Sequence, residues 1–82
     1  MATAAQIATL ATELANRYSS QVLIEITNPQ VASATTVGTT RRDNAIQDCD
    51  GYFRMQGITL DTADNMHVAV ITEGAFTRLQ VV

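Results

Sequence analysis

In this 82-residue chain with one cysteine and one histidine, few places can carry chemistry. The densest is "DCDGYF", residues 48–53: two carboxylates around a thiol, then a glycine and two aromatics. A calcium loop of the EF-hand type needs oxygen ligands at its first, third and fifth positions, Gly at the sixth and Glu at the twelfth. Counted from Asp48, the fifth, sixth and twelfth positions are Tyr52, Phe53 and Thr59, so the pattern fails. A Cys49–His67 nucleophile pair would need an electropositive, accessible thiol. The flanking Asp48 and Asp50 act in the opposite sense. "TADNMH", residues 62–67, sets an acid near the histidine, but two candidate ligands are not a zinc site. The chain has no Gly-rich phosphate loop and no serine-nucleophile motif. Its aromatics, Tyr18, Tyr52, Phe53 and Phe76, do not interleave with basic residues as a single-strand stacking platform requires. The expectation is therefore no catalytic residue, no metal ligand set and no cofactor.

The elements that would position these residues read mainly as helices. In residues 3–18, Ile7, Leu10, Ala11, Leu14 and Tyr18 form one apolar stripe at helical spacing, with Thr3 as a candidate N-cap. Residues 41–56 read as a second long helix, with an inward stripe of Ala45, Ile46, Cys49 and Tyr52 or Phe53. Thr40 with Asp43 resembles a capping box, and Gly57 suits a left-handed residue past the C-terminus. Within that helix Asp48 and Asp50 are separated by roughly 200° and cannot pinch one ion. They become two wet shoulders, and Gly51 between them would admit a close neighbour. Arg41 and Arg42 sit where the helix dipole disfavours cations, so an outside anion or nearby acids must compensate them.

Two segments are ambiguous. Residues 21–27 alternate well enough for a strand, yet Ser19 or Ser20 could cap a short helix there. Residues 66–82 carry a helical stripe of Val68, Ile71, Ala75 and Leu79, but also split into two β-rich runs around Glu73-Gly74. Glu-Gly is a poor two-residue hairpin turn, so the helix is favoured. Between Pro29 and Thr40 lies a loop of small and hydroxyl residues, long enough to be functional. The predicted fold is mainly α, a single small helical bundle over residues 1–82 with a long loop. The alternative is α+β, with 21–27 and 66–82 as strands.

Composition narrows the use of such a domain. The net charge is −3, all five cations are arginines, and charged residues are only 16% of the chain. An acidic chain is poorly suited to holding DNA phosphates. A low-charge surface suits an assembling subunit. A lone cysteine allows no internal disulfide, and a small domain without staples gains stability from partners. No signal peptide and no membrane span is evident, so the default expectation is a cytoplasmic, non-membrane protein.

The order of segments is also familiar. A long helix ends in "ANRYSS", and a short apolar segment ends in "LIEITNP". A small-residue loop then leads into "TTRRDNAIQDCDGYFRMQG", and the chain closes on "HVAVITEGAFTRLQ". This order resembles the small helical head–tail connector proteins of tailed bacteriophages, the head-completion adaptors. The resemblance implies a structural virion protein, not an enzyme, that forms a homo-oligomeric ring at the portal vertex. It would contact the portal and neighbouring tail or stopper proteins. DNA would pass through the ring without being specifically bound, and the subunit would be in the host cytoplasm during assembly. It also places contacts in residues 29–40 and 75–82, hence Thr35, Thr36, Val37, Phe76, Leu79, Val81 and Val82. Arg41 and Arg42 join these as candidate interface residues. The apolar "LQVV" departs from the polar tail such a protein would carry, and suggests a terminus shortened or docked on a neighbour.

Overall fold

The computed structural model describes residues 1–81, which form four helices: α1 Ala4–Arg17, α2 Ser20–Thr27, α3 Thr39–Met55 and α4 Asn65–Gln80. Among these residues there is no strand, so the mainly α reading holds and the α+β alternative is overturned. Residues 21–27 lie within α2, whose N-cap Ser19 accepts from the Val22 backbone N–H at 3.2 Å. Residues 66–80 lie within α4, whose N-cap Asp64 accepts from the N–H groups of Met66 and His67. The β-branched residues of α4 follow the packing period rather than their strand preference. Val68, Ile71, Ala75 and Leu79 are all buried, one turn apart, with Thr72 beside them.

Helix α1 begins in a full capping box. The Thr3 hydroxyl accepts from the Gln6 N–H, and the Gln6 side-chain oxygen accepts from the Thr3 N–H at 2.9 Å. Gln6, a residue of the wet side by period, also donates to the Leu60 carbonyl at 3.3 Å and ties α1 to the α3–α4 connector. Most of the predicted stripe is buried: Ile7, Leu10 and Leu14 lie in the core, Tyr18 packs against its edge, and Ala11 is only half-buried. The Tyr18 ring stacks on Phe76, with centroids 3.7 Å apart. These contacts set the topology. The start of α1 meets the connector, and its end meets the far half of α4. Helix α1 therefore runs alongside α4 and antiparallel to α3, and the three share one core of Leu10, Leu14, Ile46 and Ile71.

Helix α3 departs from expectation at its start. It opens at Thr39, behind an N-cap Gly38 with no side-chain cap, and Asp43 pairs with Arg42 at 2.8 Å instead of forming a box with Thr40. A tertiary contact fixes this boundary. The Gly38 N–H donates to the Thr27 hydroxyl at 2.7 Å, and a Cβ on Gly38 would lie 2.4 Å from the Thr27 carbonyl oxygen. Only glycine allows that approach. The Asn28 side chain donates to the carbonyls of Ile24 and Thr36, at 2.9 and 2.8 Å. The long loop is thus closed at its base, as in a compact Ω-loop. The other end of α3 matches expectation. Gly57 has φ 76°, its N–H donates to Arg54, and the Ile58 N–H donates to Phe53 at 2.8 Å. That double bond is the Schellman arrangement, which satisfies carbonyls the helix leaves open.

Candidate functional site: an open groove on the α3–α4 hairpin

The six residues 48–53 divide sharply across α3. Ile46, Asp50 and Phe53 share its inner side, because residues four and three apart lie one above another on a helix. Asp50 is thus not a wet shoulder: its side chain is 1% exposed. Its Oδ2 accepts from Arg54 Nε at 2.8 Å, and the Met1 amine lies 3.7 Å away. Its Oδ1 is buried without a hydrogen-bond partner. Met1 and Ala2 lie beside this carboxylate and its neighbours. The Ala2 N–H donates to the Gln47 side chain, Gln47 donates back to the Ala2 carbonyl, and Arg54 donates to the Met1 carbonyl at 2.7 Å. Burying a carboxylate is costly unless it is paired, so this pairing is part of how Asp50 is tolerated.

Asp48 lies on the other side, half exposed, and accepts from Arg78 Nε of α4 at 2.7 Å. That bond chiefly holds the Arg78 guanidinium above its ordinary pKa. Cys49 lies between the two aspartates at the α3–α4 seam. Its Sγ would be 3.1 Å from a Cβ added at Gly74. Of the two glycines inside α3 and α4, Gly74 rather than Gly51 has the close neighbour; a Cβ on Gly51 would meet nothing within 4 Å. Burial is the main cause that pushes the Cys49 thiol above its ordinary value; Arg78 lowers it and Asp48 raises it by smaller amounts. A raised thiol is the opposite of an activated nucleophile. His67 is committed to its own turn. Its Nδ1 accepts from the Asp61 N–H at 3.0 Å, and its ring meets Phe53 edge-on at 5.2 Å. Cys49 and His67 are on different contacts and do not form a pair. Among the described residues, no three of His, Cys, Asp or Glu gather where they could hold a metal ion, and no helix is long and apolar enough to cross a membrane.

An open groove of about 880 Å³ lies between α3 and α4. Arg41, Asn44, Asp48 and Tyr52 form its α3 wall, and Val70, Glu73, Thr77 and Arg78 its α4 wall. Ala45, Cys49 and Gly74 are the small residues that leave it open. It lies away from α1: on α3, the wall residues are roughly 120–160° around the axis from Ile46. Tyr52, which the sequence offered for the core, is 58% exposed here. A second, smaller concavity of about 360 Å³ lies between α2 and the loop, near Ile24, Pro29 and Val31.

The candidate interface residues are dispersed by the fold. Arg41 and Val81 meet at one end of the groove, and Val81 is 75% exposed. Arg42 is engaged with Asp43. Thr35 and Thr36 are exposed on the loop, while Val37 packs against the core. Phe76 is half-buried in its stack on Tyr18. Leu79 is 2% exposed and belongs to the protomer's own core, so it is not free to meet a partner. Val82 lies outside the described residues. The groove itself was missed. The signal for it was the run of small residues at Ala45, Cys49 and Gly74, legible only once two helices are known to face each other there. No family model matches the chain, and no curated protein or solved structure matches it closely enough to count as a relative.

Proposed function

We propose that the chain is a structural subunit of a tailed-bacteriophage or prophage particle, a head–tail connector that assembles as a ring at the portal vertex. The observation that carries the reading is the open groove with Tyr52, Val70 and Val81 exposed along it, on a domain whose charged residues are only 16%. Apolar surface gathered in one place is the mark of a contact site rather than of a solvated monomer. The order long helix, short helix, closed loop, long helix, helix is also the order of the connector proteins the sequence resembles.

In this role the chain carries no catalysis and needs no cofactor. Its partners are further copies of itself, the portal on one side and tail or stopper proteins on the other. DNA passes through the ring without specific binding, in keeping with a net charge of −3. The protein resides in the virion, and in the host cytoplasm during assembly. The loop after Pro29 and the end of α4 at Val81 are the contacts with neighbours. Immunogold labelling of particles from the producing host tests the reading: label at the neck between head and tail is expected. Particles without label, with the protein left in the cell fraction, would overturn it.

A further inference from the structure

The α3–α4 hairpin has two faces, and α1 occupies only one. We propose that the groove on the other face seats the outer side of α1 from a second copy of the chain, so that copies join head to tail. The idea rests on the assembling-subunit reading above and names the contact that such assembly would use.

The outer side of α1 is unusual for an exposed helix. Ala5, Ala8, Thr12 and Ala15 form a ridge opposite Leu10 and Leu14, and all four are exposed. The first charged side chain of the chain is Glu13, and its neighbour on the next turn, Arg17, lies 3.6 Å from it. The ridge hydroxyls are already spent. Thr9 donates to the Ala5 carbonyl and Thr12 to the Ala8 carbonyl, each at 3.1 Å. The threonines are thus satisfied within the helix, and the ridge can be dried without stranding a donor.

The groove complements that ridge in three respects. Its floor of Ala45, Cys49 and Gly74 is small, which lets a helix of small residues approach closely. Its charges balance: Asp48 is bonded to Arg78 at 2.7 Å, and the remaining Arg41 and Glu73 are one of each sign. A groove neutral overall therefore meets a neutral ridge, and Arg41 and Glu73, both exposed on its walls, can keep their charged ends in water. The lengths also match. From Arg41 to Tyr52 the α3 wall spans about 16 Å, and from Ala5 to Ala15 the ridge spans about 15 Å. Ridge and groove are different surfaces turned away from each other, so the contact is heterologous and closes into a ring or grows into a filament.

Two charge insertions test this, Ala8→Glu on the ridge and Val70→Glu on the groove wall. Both sites are exposed, so circular dichroism and thermal midpoints are expected to match wild type. In analytical ultracentrifugation wild type is expected to grow in mass with concentration, and each variant alone to stay monomeric. An equal mixture is expected to stop at a one-to-one dimer, because each variant retains the surface the other lacks. Wild type that is monomeric up to about 1 mM, a concentration that would reveal even a millimolar Kd, overturns the proposal. So does a mixture that stays monomeric. Closed rings in electron micrographs that persist in both variants would remove this contact while leaving the connector reading intact. The one-to-one dimer with only open wild-type filaments would keep the contact and count against the ring.

Discussion

Asp48 and Asp50 are two residues apart on one helix, and each accepts from an arginine at under 3 Å. Their circumstances differ. Asp48 is half in solvent and its pair spans the mouth of a groove; Asp50 is shut in the core beside Met1 and Arg54. The same chemical bond has different worth in these places. In water the gain of an ion pair is largely cancelled by screening and side-chain ordering. In the interior the charge cannot be rehydrated, so its partner is what keeps it tolerable. The inner side of α3 is therefore where the fold is sensitive, and the outer side is where substitution is free.

The sharpest way to break this comparison is Arg54→Ala, which leaves Asp50 buried beside only the terminal amine. A loss at the lower end of ~3–5 kcal/mol is expected, since Arg54 itself is half exposed; chemical denaturation measures it. Next come the two helix glycines. Gly51→Ala has open space around it and is expected to stabilise by up to about 1 kcal/mol. Gly74→Ala must displace the Cys49 Sγ, so its gain is expected to be smaller or reversed by the same measurement. A third, smaller effect is on pH. The Cys49 thiol is raised in the folded chain, chiefly by burial, so the folded state holds its proton longer than the unfolded one. That contribution is complete below the ordinary value of 9.0 and is lost as pH rises through the raised one. Wild type is expected to lose more stability than Cys49→Ala between about pH 8 and 10. Smallest of all, Arg78→Ala is expected to leave the unfolding midpoint nearly unchanged, although it breaks a bond as short as that of Arg54.

Much of the fold was legible because helical periods and caps are local. Thr3 and Gly57 act at the helix ends they mark, and Ser19 is the one of the two candidate serines that caps α2. The Val68–Leu79 stripe decided α4 against its β-branched composition. What was not legible is tertiary. The start of α3 is set by Gly38 meeting Thr27, eleven residues earlier, and no local signal announces that contact. Asp50 looked wet because it is an aspartate, although Ile46 and Arg54, four residues either side, place it inward beside a ready cation. The groove depends on which small residues face each other across two helices, which spacing within one helix cannot show.

The reciprocal bonds between Ala2 and Gln47 have a consequence for how the chain is made. They join positions 45 apart in sequence. As the chain leaves the ribosome, α1 emerges with its stripe exposed and its leading residues without partners until α3 has followed. Pairing contacts so distant costs loop-closure entropy before it returns any energy. The α3–α4 hairpin, which packs Ala45 and Ile46 with Ile71 and Ala75 across a shorter stretch of chain, is the natural nucleus. Residues 1 and 2 would then be among the last to settle, closing over Asp50 only when the rest of the core is in place.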